Sequence, residues 1–191
     1  MKLTIHHYPQ VDSTNNVAKA YLELGACEGT VILADQQTGG RGQFQRMWQS
    51  PKGNFYGSMI LKPSQEWQSS YHQLGYVAAV ALKRALAHVL PLVPIHLKYP
   101  NDIFLEGKKI AGILIEVEEG AVILGMGVNV QVAPEGLDQP TTCLQHHIRR
   151  PVTVSEVTPF LLKDLWHTYK GWLNHEFENL YQEWLSNSLP Q

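Results

Sequence analysis

"DIFLEGKKIAGILIEVEEGAVILGMGVNV", residues Asp102 to Val130, alternates apolar runs with two Glu-Gly pairs, Glu106-Gly107 and Glu119-Gly120. Such pairs suit the tight turns of hairpins, so the spacing predicts an antiparallel meander of three strands. Upstream, "IHLKYP" (95–100), "NFYGSMILKP" (54–63, stopped by Pro63), "GTVILADQ" (29–36) and Leu3 to Tyr8 read as further strands. "DSTNNVAKAYLELG" (12–25) carries a helix-start signal, with Asp12 or Ser13 as cap. "SSYHQLGYVAAVALKRALAHVL" (69–90) reads as a long amphipathic helix capped at a serine. From Ser155 the pattern is helical almost to the end, with Phe160, Leu161, Leu165, Trp172 and Leu173 on one face, then Phe177, Leu180, Tyr181 and Trp184. The expected product is an α+β fold, a mixed sheet covered by helices, built as one domain over residues 1–191. The Pro-rich stretch 133–151 reads as a loop within it.

Composition narrows the function classes. Hydrophobic residues at 44% and charged residues at 17% describe a globular chain rather than a disordered one. The formal net charge of -2 gives no general electrostatic case for nucleic acid or membrane partners, and neither is expected. The opening "MKLTIHHYPQVDSTN" lacks the basic and apolar regions of a signal peptide, and no apolar run reaches transmembrane length. Cys27 and Cys143 show neither a CxxC nor a metal-ligand spacing and read as reduced residues, so the expected location is cytoplasmic.

The most conspicuous loop is "QQTGGRGQFQRMW", Gln36 to Trp48. It lacks the third glycine and following helix of a dinucleotide fingerprint, and it lacks the GK[ST] of a P-loop. What remains is a flexible backbone nest that Arg41 and Arg46 could close over an anion, or a surface loop with no ligand. "KYPND" places Lys98 inside an apolar strand beside Ile95 and Leu97, where a lysine needs a negative companion or a ligand. Pro100 there favours extended backbone, and Asn101-Asp102 reads as a turn pair. Lys108 and Lys109 lie at a hairpin. Gly112, Gly125 and Gly127 sit within neighbouring strands, which suggests a flat ligand against the backbone or tight helix packing.

In this order, "DSTN", "QTGGRGQxxxRxW", "SPKGNFYGSM", "KYPND", "KIAGILIE" and "GMGVNV" resemble the biotin-protein ligases over nearly the whole chain, to about residue 175. The resemblance implies the biotin/lipoyl ligase catalytic fold, related to class II aminoacyl-tRNA synthetases, with a mainly antiparallel sheet and packed helices. It also implies a two-step reaction. Biotin and MgATP give biotinyl-5′-AMP and pyrophosphate, and a lysine of a biotin acceptor domain, as in acetyl-CoA carboxylase, then takes the biotinyl group.

By resemblance, Ser13, Thr14, Asn15 and Gln37 hydrogen-bond the ureido ring, while Arg41, Gly42, Gln43 and Gly112 line the rest of the biotin site. Lys98 meets the carboxylate. Arg46, Trp48, Asn101, Lys109 and Asn129 belong to the nucleotide side, and Lys98, Arg46, Lys109 and Asp102 form the catalytic set. Asp102 is the candidate for Mg²⁺ or for deprotonating the incoming lysine. The loop is expected to be a lid, disordered when empty and ordered by ligand. A lipoate ligase of the same fold and a non-catalytic biotin-binding module are the rival readings.

The sequence departs from the family pattern in the loop. Gln43 replaces an arginine, which predicts weaker retention of the adenylate, and Gln45 stands where glycine is frequent. Tyr99 replaces the usual tryptophan. No winged-helix segment precedes the first strand, so no repressor role is expected, and the small C-terminal β-barrel of many relatives is expected to be absent. The apolar strands of the meander could pair with a second copy in a homodimer or be covered by the C-terminal helices.

Overall fold

The computed structural model describes residues 3–189; residues 1, 2, 190 and 191, the outer ends of the expected single domain, lie outside them. Seven strands form one sheet: β1 (Thr4–Tyr8), β2 (Thr30–Ala34), β3 (Phe55–Leu61), β4 (Ile95–Lys98), β5 (Asp102–Leu105), β6 (Lys108–Glu118) and β7 (Ala121–Val128), in the order β1-β2-β3-β7-β6-β5-β4. Only β1 and β2 pair in parallel, so the sheet is mixed and mainly antiparallel as expected. Both Glu-Gly pairs form the hairpin turns of the meander. Glu106 and Gly107 have φ of 48° and 75°, and Glu119 and Gly120 have 49° and 81°, the left-handed pair that such a turn requires.

Four helices, α1 (Thr14–Glu23), α2 (Leu74–Ala87), α3 (Val154–Leu173) and α4 (Phe177–Asn187), cover the sheet. The serine expected to cap the long helix does not do so. Gln65–Gln73 forms a 3₁₀ stretch, and Gln73, the residue before α2, already has helical backbone. The turn therefore runs on into the α-helix and leaves no extended residue to act as a cap.

The two faces of the sheet have different tasks, set by the period-2 alternation of each strand. Ile113 and Ile115 of β6, with Val122, Leu124, Met126 and Val128 of β7, pack in the large core with α2 and α3. The apolar face of the meander is thus covered by helices of the same chain. On the opposite face Ala18 of α1 packs with Ile32, Ile60 and Ile123, and the remainder of that face is left for a cleft.

One side-chain cluster ties α3 to the sheet. The Glu28 carboxylate accepts hydrogen bonds from Tyr169 Oη at 2.6 Å, Lys170 Nζ at 2.8 Å and the Lys62 N–H at 3.2 Å. Burial pushes the Glu28 carboxyl up, but these donors outweigh it and its pKa falls below the ordinary value. A depressed carboxyl contributes stability above its unfolded pKa of about 4.3 and loses it as pH falls through the folded value. Glu28→Gln is therefore expected to cost about 1 kcal/mol at pH 7 in denaturant titrations, with the difference from wild type shrinking below about pH 4.

Candidate functional site

A cleft of about 620 Å³ opens on the free face of the sheet, within the range that holds a small-molecule substrate. Its floor is backbone. Gly112 of β6 pairs with Gly127 of β7, and Leu114 pairs with Gly125. A Cβ on Gly127 would lie 2.5 Å from the indole of Trp48, and one on Gly112 would lie 2.9 Å from the same ring. The flat group that the glycines accommodate is thus the side chain of the chain's own Trp48. Gly125 instead makes room for the Asn15 amide. Trp48 Nε1 is buried with no hydrogen-bond partner, and so is Asn129 Oδ1 nearby. Two orphaned buried polar atoms in one cleft are what a ligand would satisfy.

A register shift between β5 and β6 sets one wall. Asp102 pairs with Gly112 and Ile103 with Ala111, but Phe104 pairs with Lys109, leaving Ile110 as the extra residue of a bulge. Ile110 and Ala111 both enter the core. The bulge therefore changes the phase of the strand and turns Lys109 to the cleft side with Gly112. There its Nζ lies 2.7 Å from Asp102 Oδ1 and 5.2 Å from the Trp48 ring. Asp102 is thus the first residue of β5 rather than a turn residue, and its charge is engaged by Lys109. Among the described residues no group of three His, Cys, Asp or Glu side chains gathers to hold a metal.

Of the two companions expected for Lys98, a carboxylate or a ligand, the fold supplies no carboxylate among the described residues. Lys98 is the last residue of β4, exposed, with its Nζ over the Phe104 ring at 5.2 Å. Arg46 is likewise exposed. Asn101 donates from Nδ2 to the Ile113 carbonyl at 2.7 Å, fixing the turn between β4 and β5. Lys98, Asn101, Asp102 and Lys109 line one end of the cleft.

The other end is polar and buried. Ser13, Thr14 and Asn15 are each no more than 4% exposed. Ser13 is the N-cap of α1, yet its side chain makes no capping hydrogen bond. Gln37 takes that role from outside the helix, accepting at Oε1 from the Thr14 N–H at 2.8 Å and from Thr14 Oγ1 at 3.2 Å. Ser58 Oγ on β3 lies 2.7 Å from Thr14 Oγ1 and 2.5 Å from Asn15 Oδ1. Thr14 has spent its proton on Gln37, so the single Ser58 proton serves both of these oxygens.

Residues 40–48 form a small hairpin. The Gly42 N–H donates to the Arg46 carbonyl at 2.7 Å and the Trp48 N–H to the Gly40 carbonyl at 2.9 Å. The tip holds Phe44 and Gln45 at φ of 54° and 58°. Left-handed backbone at a side-chain-bearing residue costs roughly 1 to 2 kcal/mol. Gln45→Gly is therefore expected to recover about 1 kcal/mol, read as slower protease nicking at Arg46.

The loop 133–151 was legible only as a loop, but part of it is a wall. The Lys109 N–H donates to the Pro140 carbonyl and the Thr142 N–H to the Lys109 carbonyl, both at 2.9 Å. Asn129 Nδ2 donates to the Thr142 carbonyl at 3.0 Å. This lines the cleft with Pro134, Leu137 and Thr141, residues with no sequence signal of their own. Ser58 and Glu116 are further residues of the site outside the predicted set.

Residues 8–132 match the biotin/lipoate A/B protein ligase family. The chain is 40% identical over 132 residues to a biotin acetyl-CoA-carboxylase ligase of Paracoccus denitrificans, covering 66% of this chain and 54% of that protein. It is 31% identical over 193 residues to the bifunctional ligase/repressor BirA of Bacillus subtilis, covering 96% of this chain and 59% of the relative. The chain thus spans less than two thirds of these relatives. A biotin protein ligase of Aquifex aeolicus, solved with biotin and ATP, superposes with a TM-score of 0.87 at 30% identity, covering 97% of this chain and 78% of that one.

Proposed function

The chain belongs to the biotin/lipoate A/B protein ligase family, and on that premise we propose that it attaches biotin to a lysine of a carrier domain through biotinyl-5′-AMP. The observation that carries this reading is the polarity of the cleft. A buried set of neutral donors and acceptors stands at one end, and Lys98 and Arg46, cations with no carboxylate partner among the described residues, stand at the other.

A urea has two N–H donors and a strong acceptor, and on burial it loses its water partners. Ser13, Thr14, Asn15 and Gln37 replace them. A lipoyl ring has no such groups and would draw no hydrogen bonds from this set. Gly42, Gln43 and Gly112 line the middle of the cleft for the valeryl chain, together with Arg41 at the loop. Its carboxylate then lies toward Lys98, beside a nucleotide held by Trp48, Asn101, Lys109, Arg46 and Asn129.

In the first step a carboxylate oxygen bonds to the α-phosphorus and the bond to pyrophosphate breaks. Lys98 and Arg46 offset the repulsion between the two anions. In the second, the acceptor amine bonds to the acyl carbon, loses a proton and expels AMP. The described residues do not form a cage for magnesium: Lys109 engages Asp102, Asp138 on the loop wall is the other carboxylate lining the cleft, and no three ligating side chains gather. Mg²⁺ would come with the triphosphate, and the same pairing leaves Asp102 to hold Lys109 rather than to take the amine's proton.

The acceptor is a carrier domain of a biotin-dependent carboxylase, and the setting is a cytoplasm that keeps Cys27 and Cys143 free. Among the described residues no helix is long and apolar enough to cross a membrane. The deciding experiment measures pyrophosphate release with ATP and magnesium, comparing biotin with lipoate, and then the mass of an added carrier domain. Release with biotin alone and one added biotinyl group are expected. Release with lipoate alone, or with neither, would refute the reading.

A further inference from the structure

Glu116 stands on the cleft face of β6, and neither the sequence motifs nor the reaction chemistry gives it a task. Its two oxygens take donors from two different elements. Oε2 accepts from Asn15 Nδ2 of α1 at 2.8 Å, and Oε1 accepts from Arg41 Nη2 of the loop at 3.3 Å. The same Nη2 donates to Asn16 Oδ1 at 2.8 Å. Arg41 is therefore turned back along α1 toward Glu116, and its guanidinium is not among the free cations of the cleft.

Two things depend on this carboxylate. By holding Nδ2 it fixes which way the Asn15 amide points, with Oδ1 toward Ser58. By holding Arg41 it ties the first arm of the 40–48 hairpin to the sheet. The two are joined by one line of hydrogen bonds, from Asn15 through Ser58, Thr14, Gln37 and Ser50 to the carbonyl of Trp48. An ionised carboxylate accepts at both oxygens, whereas an amide in its place would set an NH₂ against either the Asn15 NH₂ or the guanidinium.

We propose that Glu116 is a positioning residue that latches the loop hairpin over the cleft and orients the polar groups at its biotin end. The biotin part of this rests on the function proposed above. The latch itself rests only on the contacts among Glu116, Asn15, Asn16 and Arg41.

The test uses the full chain and the variants Glu116→Gln, Arg41→Met and their double. Two readouts are taken: trypsin nicking after Arg46 without ligand, and the kinetics of pyrophosphate release. Loss of a charged hydrogen bond is worth roughly tenfold or more, so nicking of Glu116→Gln should rise about 10-fold and KM for biotin by a similar factor. The KM for ATP, whose partners Arg46 and Trp48 sit on the same hairpin, should rise less than the KM for biotin, and Tm should stay within a few degrees. Arg41→Met approaches the same contact from the surface, so it should nick equally fast, and the double variant should be no worse than either single.

Additive effects in the double variant, equal losses in the biotin and ATP parameters, or unchanged nicking in both singles would overturn the latch. Should wild type release no pyrophosphate with biotin, the ligase reading falls by itself, and the nicking arm still decides the latch.

Discussion

Lys98→Met is expected to reduce biotin-dependent pyrophosphate release by about 10²- to 10³-fold while leaving the fold as stable as before, because a preorganised charge at a reacting oxyanion is worth that much. The separation of the two effects follows from where the side chain lies. It lies exposed at the end of β4 with its ammonium over the face of Phe104 and no carboxylate partner among the described residues, so truncation breaks no ion pair there and leaves no buried charge. Lys109 provides the contrast. The Lys109 and Asp102 side chains are 14% and 18% exposed, so removing Lys109 strands an acid in a largely desolvated place and should cost stability as well. Single-turnover adenylation with thermal unfolding of the same preparations checks both statements. An unchanged rate for Lys98→Met would remove this lysine from the reaction.

Gly127→Ala should lower kcat/KM for ATP about 100-fold, a loss of roughly 2 to 3 kcal/mol in line with overpacking of a rigid site. The new methyl would meet the Trp48 indole, which lies against both Gly127 and Gly112. Backbone cannot recede from it, since Gly127 is paired on both sides, with Tyr56 and with Gly112. The indole must move, and with it the end of the loop hairpin. The check is epistasis: in a Trp48→Ala background the glycine substitution should cost little, because the group it collides with is gone. Equal losses in both backgrounds would mean that the methyl acts on the strand itself.

The frame of the molecule was legible because its signals are local. The Glu-Gly pairs predicted both hairpin turns, apolar runs bounded by turn signals identified the strands, and "DSTN" announced the start of α1. The site was legible only in part, for a physical reason. Lys109 faces the cleft because of a bulge at Ile110, which no alternating pattern foretells. The polar line from Asn15 to Trp48 joins residues far apart in the chain. Gly112 and Gly127 were read correctly as requiring a close approach, but the approaching group, Trp48, comes from more than sixty residues upstream. Lys98 was expected to meet a carboxylate or a ligand because its neighbours are apolar; as the exposed last residue of its strand it has no carboxylate partner among the described residues, which leaves the ligand.

The two faces of the sheet also bear on how this protein could be remodelled. In β6 positions 112 and 114 line the cleft and 116 lies on the same face, while the 113 and 115 side chains enter the core, and in β7 Gly125 and Gly127 floor the cleft while the 124, 126 and 128 side chains pack in the core. Ligand preference and thermal tolerance are thus written in alternate codons of the same two strands. A library aimed at new substrates can vary every second codon and hold the intervening ones constant, and selections for activity and for heat resistance should enrich complementary halves of it.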